Sequence, residues 1–377
     1  MKRLFFALLT VIVFNSCETK KNKATAIKED SKTVQQTINN SSIKRVIDSI
    51  LTANNIPGLA VGIIDGTTIQ TDGFGTLERS SVDRIDKNSI FQIGSDTKKF
   101  TAIIARNLVT DGKLNLDEPL VNYLPNSVSS ETKVKLKDIT TRLLLLQRSG
   151  VPYRAKSVQR VDGDAMLIPY SEKDLIADLN STELAFEPNS EMGYSNYGYA
   201  IIGYVCELVS GKTYSELVKF YITDKYGMDN TFIHPDQRQS KLIAFPYRKD
   251  DRTLKSEPWK MGKMTPAGGI YSNITDLSKL MISQIEAYRN FSKDSITDNP
   301  LILTESDGID GSHYGFGLSK TIKDNWTRYG HGGDLDGYAS CYVFSPEKNV
   351  GLIMLTTSGG RWFGDLERIL KQELFKP

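Results

Sequence analysis

The segment Gln92-Ile-Gly-Ser-Asp-Thr-Lys-Lys-Phe-Thr-Ala102 sets a hydroxyl, Ser95, three residues before an amine, Lys98. On a helix those positions share a face, with Cβ atoms about 5–6 Å apart. Lys98 can then take the proton of Ser95 as the hydroxyl attacks a carbonyl, the chemistry of covalent acyl transfer. The spacing recurs at Ser41/Lys44, Ser130/Lys133 and Ser345/Lys348, so context must choose. Ser95 follows Gly94, which tolerates tight backbone geometry, and precedes Phe100, Ile103, Ile104 and Leu108 at helical apolar spacing. It therefore sits where a strand or loop enters a buried helix, whose free N–H groups and positive dipole end favour an oxyanion. The other three pairs fall in an amphipathic start, a polar stretch and a Ser-Pro-Glu-Lys turn, which predicts solvated surface.

Such a pair needs a second proton carrier and a means of holding substrate. Tyr194-Ser195-Asn196 follows a Glu187-Pro188-Asn189 turn and precedes a helical run from Tyr197 to Val209. A phenol beside an ammonium ionises more easily than its reference pKa of about 10, so Tyr194 is expected to relay the Ser95 proton to a leaving group. The Asn196 amide is suited to orienting Lys98 and a substrate carbonyl. Tyr271-Ser272-Asn273 and Tyr288-Arg289-Asn290 repeat the spacing. The first reads as a turn capping a helix through Ser272 or Asn273, the second as a helix end. His331-Gly332-Gly333 supplies a third element, its glycines letting substrate backbone approach a strand. His313-Tyr314-Gly315 has the same form but reads as a loop entering a strand.

Other chemistries find less support. The three histidines, His234, His313 and His331, stand apart and no His-Glu-x-x-His occurs, so neither a metal nor another cofactor is expected. Ser210-Gly-Lys-Thr213 ends like a phosphate loop, but Cys206 occupies the required glycine position. Gly211 then reads as a helix C-cap.

At 377 residues, 39% hydrophobic and 24% charged, the chain has ordinary globular composition. Met-Lys-Arg, an apolar run from Leu4 to Phe14 and Asn15-Ser16-Cys17 resemble a bacterial lipoprotein signal. On that resemblance, cleavage after residue 16 leaves Cys17 carrying the lipid. Phe14 and Asn15 depart from the stricter pattern, which keeps an ordinary secreted protein as the alternative. Residues 17–40 suit a solvated tether. The chain is then expected to be exported and anchored to a bacterial membrane, facing the periplasm or cell surface, as a monomer. The excess of 47 basic over 45 acidic residues is Lys2 and Arg3, both in the signal. With no basic surplus left, a nucleic-acid partner is not expected. Cys206 and Cys341 read as buried thiols.

Strand-like runs lie near both ends: Leu59–Ile64 and Thr68–Phe74 split by Asp65-Gly66, then Tyr314–Ile322, Tyr338–Phe344 and Val350–Thr356. Between them lie helical patches at Leu136–Leu146 and Tyr197–Val209; further helices are expected at Thr275–Tyr288 and Phe363–Phe375. This pattern predicts an α/β (α+β) fold, one domain over residues 41–377, with an antiparallel sheet built from the chain ends and an inserted all-helical lobe at roughly 113–265. A site belongs in the cleft between them.

Taken in order, Ile56-Pro-Gly-Leu-Ala-Val-Gly62, the Ser95 segment, Gly112-Lys-Leu-Asn-Leu-Asp117, Leu144-Leu-Leu-Gln-Arg-Ser-Gly-Val-Pro152, Tyr194-Ser-Asn-Tyr-Gly-Tyr199, Pro266-Ala-Gly-Gly-Ile-Tyr271, Tyr314-Gly-Phe-Gly317 and His331-Gly-Gly333 resemble the serine β-lactamase and penicillin-binding protein superfamily. The branch is that of class C β-lactamases, D-Ala-D-Ala carboxypeptidases, D-aminopeptidases and related esterases. The resemblance implies Ser95 as nucleophile, Lys98 as base and Tyr194 as proton relay. It implies substrate binding at Asn196, His331, Gly333 and Asp334, with the Ser95 and Asp334 N–H groups forming the oxyanion hole. His331 stands where β-lactamases carry lysine, and a neutral imidazole is a weaker partner for a substrate carboxylate. A D-peptidase, carboxypeptidase or esterase is therefore expected ahead of a class C-like β-lactamase or a non-catalytic penicillin-sensing lipoprotein.

Overall fold

The computed structural model describes residues 41–160, 166–290, 299–302, 314–322 and 325–376, with the side chains of 41 and 42 excepted. The signal, the tether, Cys17 and His313 lie outside the described residues. Gly58–Asp65 (β1) and Thr68–Gly75 (β2) form a hairpin whose two-residue turn is Gly66-Thr67. Asp65 stays in the strand opposite Thr68, one position later than the sequence breaks suggest, because Gly66 supplies the positive φ.

Late in the chain come Tyr314–Gly315 (β5), Leu318–Ile322 (β6), Thr327–Asp334 (β7), Ala339–Ser345 (β8) and Val350–Thr356 (β9). With β1 and β2 they make a seven-stranded antiparallel sheet in the order β2-β1-β9-β8-β7-β6-β5. Phe91–Gln92 (β3) and Tyr271–Ser272 (β4) pair separately beside the site. Strand periodicity sorts the sheet's two faces. Leu59, Val61, Ile63, Cys341, Val343, Leu352 and Met354 face Ser41–Ala53 (α1) and Arg361–Leu374 (α5). Ala60, Ile64, Tyr342, Phe344, Ile353 and Leu355 face the larger core, which holds Thr97–Thr110 (α2), Asn196–Ser210 (α3) and Ile274–Arg289 (α4).

From Leu114 to Gly262 the named elements are helices. Of the predicted Leu136–Leu146 helix only Thr141–Leu145 forms. Ser130–Lys135 ends at Leu136, and a new turn starts at Thr141 because extended Thr140 accepts the Leu143 N–H through its hydroxyl. Gly211 ends α3 in the left-handed conformation, and Thr213 caps the next helix. Asn189 lies at φ +65°, so asparagine tolerates there the turn in which glycine is more usual. Cys206 and Cys341 are buried and free. Among the described residues no helix is long and apolar enough to cross a membrane.

Asn273 caps α4 by accepting the Asp276 N–H at 2.8 Å and donates to the Asn88 carbonyl at 3.2 Å. Asn273→Ala is expected to cost about 1–2 kcal/mol, measured as a lower urea midpoint with unchanged slope.

Candidate active site

β3 leads through Ile93 into a single tight turn, Gly94–Asp96, that runs directly into α2. Gly94 has φ +53° and rests on β7: a Cβ there would stand 3.1 Å from the Gly333 Cα and 3.2 Å from the Asp334 nitrogen. A Cβ on Gly333 would fall 2.0 Å from the Ile93 carbonyl oxygen. The two glycines let the Ser95 turn lie against β7. This brings the Ser95 and Asp334 backbones to one place, as an oxyanion hole requires.

Beneath the turn, Asp96 and Lys99 form a fully buried ion pair, Oδ1 to Nζ 3.0 Å. The Ser340 hydroxyl lies 2.9 Å from Asp96 Oδ2 and 2.8 Å from the Ile93 carbonyl. The Lys99 ammonium stands 3.8 Å from the Tyr342 ring centroid. Desolvation pushes the carboxyl up and the amine down, while their mutual attraction opposes both shifts.

Lys98, also fully buried, projects from the opposite side of the first turn of α2. Its Nζ is 3.1 Å from Ser95 Oγ, 2.7 Å from Asn196 Oδ1 and 2.7 Å from the Ala267 carbonyl. Asn196 comes from the start of α3, where Ser195 accepts the Gly198 N–H. Ala267 comes from the helical turn Thr265–Gly268. Burial drives the Lys98 pKa well below the ordinary lysine value, and the Asp96 charge offsets part of that. The Tyr194 ring lies 4.8 Å from Lys98 Nζ, and its hydroxyl is hydrogen-bonded with Ser95.

The Tyr194 pKa is raised, against the expected easing of its ionisation: desolvation of the phenolate outweighs the hydrogen bond from Ser95. The ammonium expected to assist is itself disfavoured by the same burial. His331 lies on β7, 6.3 Å from Tyr194 between ring centroids. β6 pairs with β7 only as far as Gly330, whereas β8 follows β7 to Asp334. Residues 331–334 thus run past the end of β6. The His331 pKa is pushed down to about 3, by desolvation first and by the Lys98 charge second. A cleft of about 270 Å³ opens on Ser95, with Tyr153, Arg154, Asn196, Lys249 and Trp259 among its walls. The Asp334 carboxylate meets Lys249 at its rim, 3.2 Å away.

Ser95, Asn196 and Asp334 therefore line one cleft, with Lys98, Tyr194, His331 and Gly333 packed beside them. The decoys lie elsewhere. Tyr271 stacks on Phe232 in β4, and Lys44 pairs with Asp72. Ser345 is buried rather than solvated: its hydroxyl donates to Glu347 and closes the β8–β9 turn. Two participants were not foreseen in these roles. The Ala267 carbonyl has no side-chain signature, while the Tyr314 hydroxyl, 3.1 Å from His331 Nε2, stands just before the Gly-Phe-Gly turn that could have flagged it. Among the described residues no group of three or more His, Cys, Asp or Glu could hold a metal ion.

These features define the class of serine β-lactamases and penicillin-binding proteins. The Beta-lactamase family model matches residues 43–374, and the chain belongs to that family. It is 23% identical to Protein flp of Staphylococcus aureus (strain N315) over 88% of its own length, and spans 66% of that relative. A Beta-lactamase of Pseudomonas fluorescens is 26% identical over 63% of each chain. Among solved structures, the octameric penicillin-binding protein homologue from Pyrococcus abyssi aligns at TM-score 0.73 and 25% identity, covering 89% of this chain and 77% of that one. The class C beta lactamase from Rhodobacter sphaeroides aligns at 0.73 and 16%, covering 89% and 98%, a likeness of fold.

Asp96→Asn leaves Lys99 buried without its counter-charge, and a loss of about 3 kcal/mol is expected in urea unfolding. A variant as stable as the parent contradicts the role given to the pair.

Proposed function

We propose that this protein is a serine hydrolase that passes its substrate's acyl group through an ester on Ser95, and that its donors are D-amino-acid peptides or carboxylic esters. The observation that carries this is the set of atoms around Lys98 Nζ. Asn196 Oδ1 and the Ala267 carbonyl only accept hydrogen bonds. In its neutral form the amine gives them its two N–H bonds, which leaves the lone pair for the proton of Ser95, whose Oγ is the third group in reach at 3.1 Å. Burial favours that neutral form.

Ser95 Oγ gives its proton to Lys98 Nζ as it bonds to the substrate carbonyl carbon. The resulting oxyanion is held by the N–H groups of Ser95 and Asp334. The carbon–leaving-group bond then breaks, and the departing nitrogen or oxygen takes a proton from the Tyr194 hydroxyl, which recovers one from Lys98. A phenol with a raised pKa suits a proton donor in such a relay rather than a standing phenolate. Water follows the same path in reverse order, releasing the acid and restoring Ser95. The Asn196 Nδ2 group is left to face the substrate carbonyl side.

His331 supports the choice of donor. With its pKa near 3, it brings no positive charge to a β-lactam carboxylate at neutral pH. Slow turnover of nitrocefin is expected beside faster turnover of p-nitrophenyl esters or D-alanyl amides. Ser95→Ala should abolish hydrolysis of all of them, along with the substrate-derived mass adduct, while circular dichroism stays unchanged. Retained activity in that variant rules the mechanism out. Because the neutral amine is the active form, kcat/KM should rise with pH through a Lys98 ionisation below the ordinary lysine value. Lys98→Ala should remove both that limb and most of the rate.

The N-terminal segment supports export and lipid attachment at Cys17. Cys17→Ser should move the protein from the membrane fraction to the soluble one, with loss of fatty-acid labelling. Unchanged labelling would place the lipid elsewhere.

A further inference from the structure

His331 is half-buried and both ring nitrogens are engaged. Nδ1 lies 2.5 Å from the Gly332 carbonyl oxygen, which can only accept, so Nδ1 carries a proton. Nε2 lies 3.1 Å from Tyr314 Oη. The charged and titratable groups facing the imidazole are Lys98, Lys99, Tyr194 and Tyr314. None is an anion at neutral pH, since burial raises both phenols. A second ring proton therefore has no counter-charge to stabilise it.

The single Tyr314 proton has two possible acceptors, His331 Nε2 and the neighbouring Tyr199 oxygen. Were it given to Tyr199, two lone pairs would face each other across 3.1 Å at Nε2. An imidazole nitrogen is a far stronger base than a phenol oxygen, so the Nε2 lone pair, 3.1 Å away, accepts the Tyr314 proton in a hydrogen bond, while Tyr199 donates its own to the Leu145 carbonyl. The Tyr314 O–H is thus directed to Nε2. The turn after β5 keeps it there: a Cβ on Gly317, at φ +76°, would fall 2.5 Å from the Lys98 carbonyl carbon, so this turn is docked on the helix that carries the base.

We propose that Tyr314 is a positioning residue that holds His331 as the neutral Nδ1–H tautomer, closing Nε2 to substrate and keeping the imidazole of β7 uncharged beside the cleft. In its effect on substrate choice the proposal rests on the acyl-transfer reading of Ser95; in its effect on the imidazole it does not. Discrimination against carboxylate-bearing donors then belongs to the Tyr314–His331 pair rather than to the histidine alone.

The test reads the imidazole directly. In full-length protein, ¹⁵N shifts at pH 7, assigned by comparison with His331→Gln, should show Nδ1 protonated and Nε2 as acceptor. A protonated Nε2 with bare Nδ1, or a titration near the ordinary histidine pKa, overturns the proposal in the unmodified protein. Tyr314→Phe keeps the ring and removes the donor. Its His331 should titrate at higher pH than in the parent, and at pH 5.5 the ratio of kcat/KM for an anionic ester over its neutral isostere should rise severalfold. An unchanged titration and ratio in the folded variant show that Tyr314 only packs. The ¹⁵N measurement needs no turnover, so failure of the Ser95 mechanism is seen in the Ser95→Ala assay and failure of the tautomer lock in the spectrum.

Discussion

A primary amine buried without water is costly unless its hydrogen-bonding capacity is met, and the site is organised around meeting that of Lys98. Its partners come from three parts of the chain: the turn before α2, the first residue of α3 and the Thr265–Gly268 turn. Each of those segments is held in turn by contacts that have nothing to do with substrate. Gln92 Nε2 donates to the Trp259 carbonyl and its Oε1 accepts the Trp259 N–H, which fixes the strand that delivers Ser95. Thr101 donates to the Pro266 carbonyl one residue before Ala267. Displacing any of the three segments leaves the amine short of an acceptor or without its hydroxyl. Base strength and the joining of helical lobe to sheet are consequences of the same three contacts.

Next to this amine the chain buries a second, which has a carboxylate beside it. Lys98 and Lys99 are adjacent, both fully buried, and point to different environments. Lys99 meets Asp96 and the face of Tyr342, and so keeps a counter-charge and a π-cloud. Lys98 meets neutral dipoles. The difference comes from the 100° step between successive helical residues, which turns one side chain to the cleft and the next to the sheet. A carboxylate on the Lys98 side would stabilise its ammonium and weaken it as a base.

Much of this was legible in the sequence where the signal is local. The Ser95–Lys98 spacing, the Gly94 entry, the cap before α4 and the terminal strands each show in a few adjacent residues. Tyr194 and Asn196 are legible for the same reason, as a short polar step between a turn and an apolar helix. The non-helical stretch Leu136–Thr140 was lost because Leu136 and Ile139 continue the apolar spacing of the short helix that follows. The direction of the Tyr194 shift was lost because proximity to a lysine is visible in a motif, whereas burial of both groups is set by the folded surroundings. Ala267 acts through its backbone, and Tyr314 meets His331 only because β5, β6 and β7 pair; neither relation has a pattern in the residues themselves.

The central place of β9 between β1 and β8 also has a kinetic consequence. Leu59 lies opposite Thr356, so the strand synthesised first in the sheet waits for the one synthesised last. Until then β1 has an unpaired edge and two apolar faces, an exposed template for another chain's strand. Contacts this distant in sequence make folding slow relative to a helical protein of the same size. The Ser95 turn, docked on β7, acquires its geometry only after that closure. A chain shortened at its C-terminal end would lose not a peripheral strand but the seam of the sheet, and should aggregate rather than survive as a partly active enzyme.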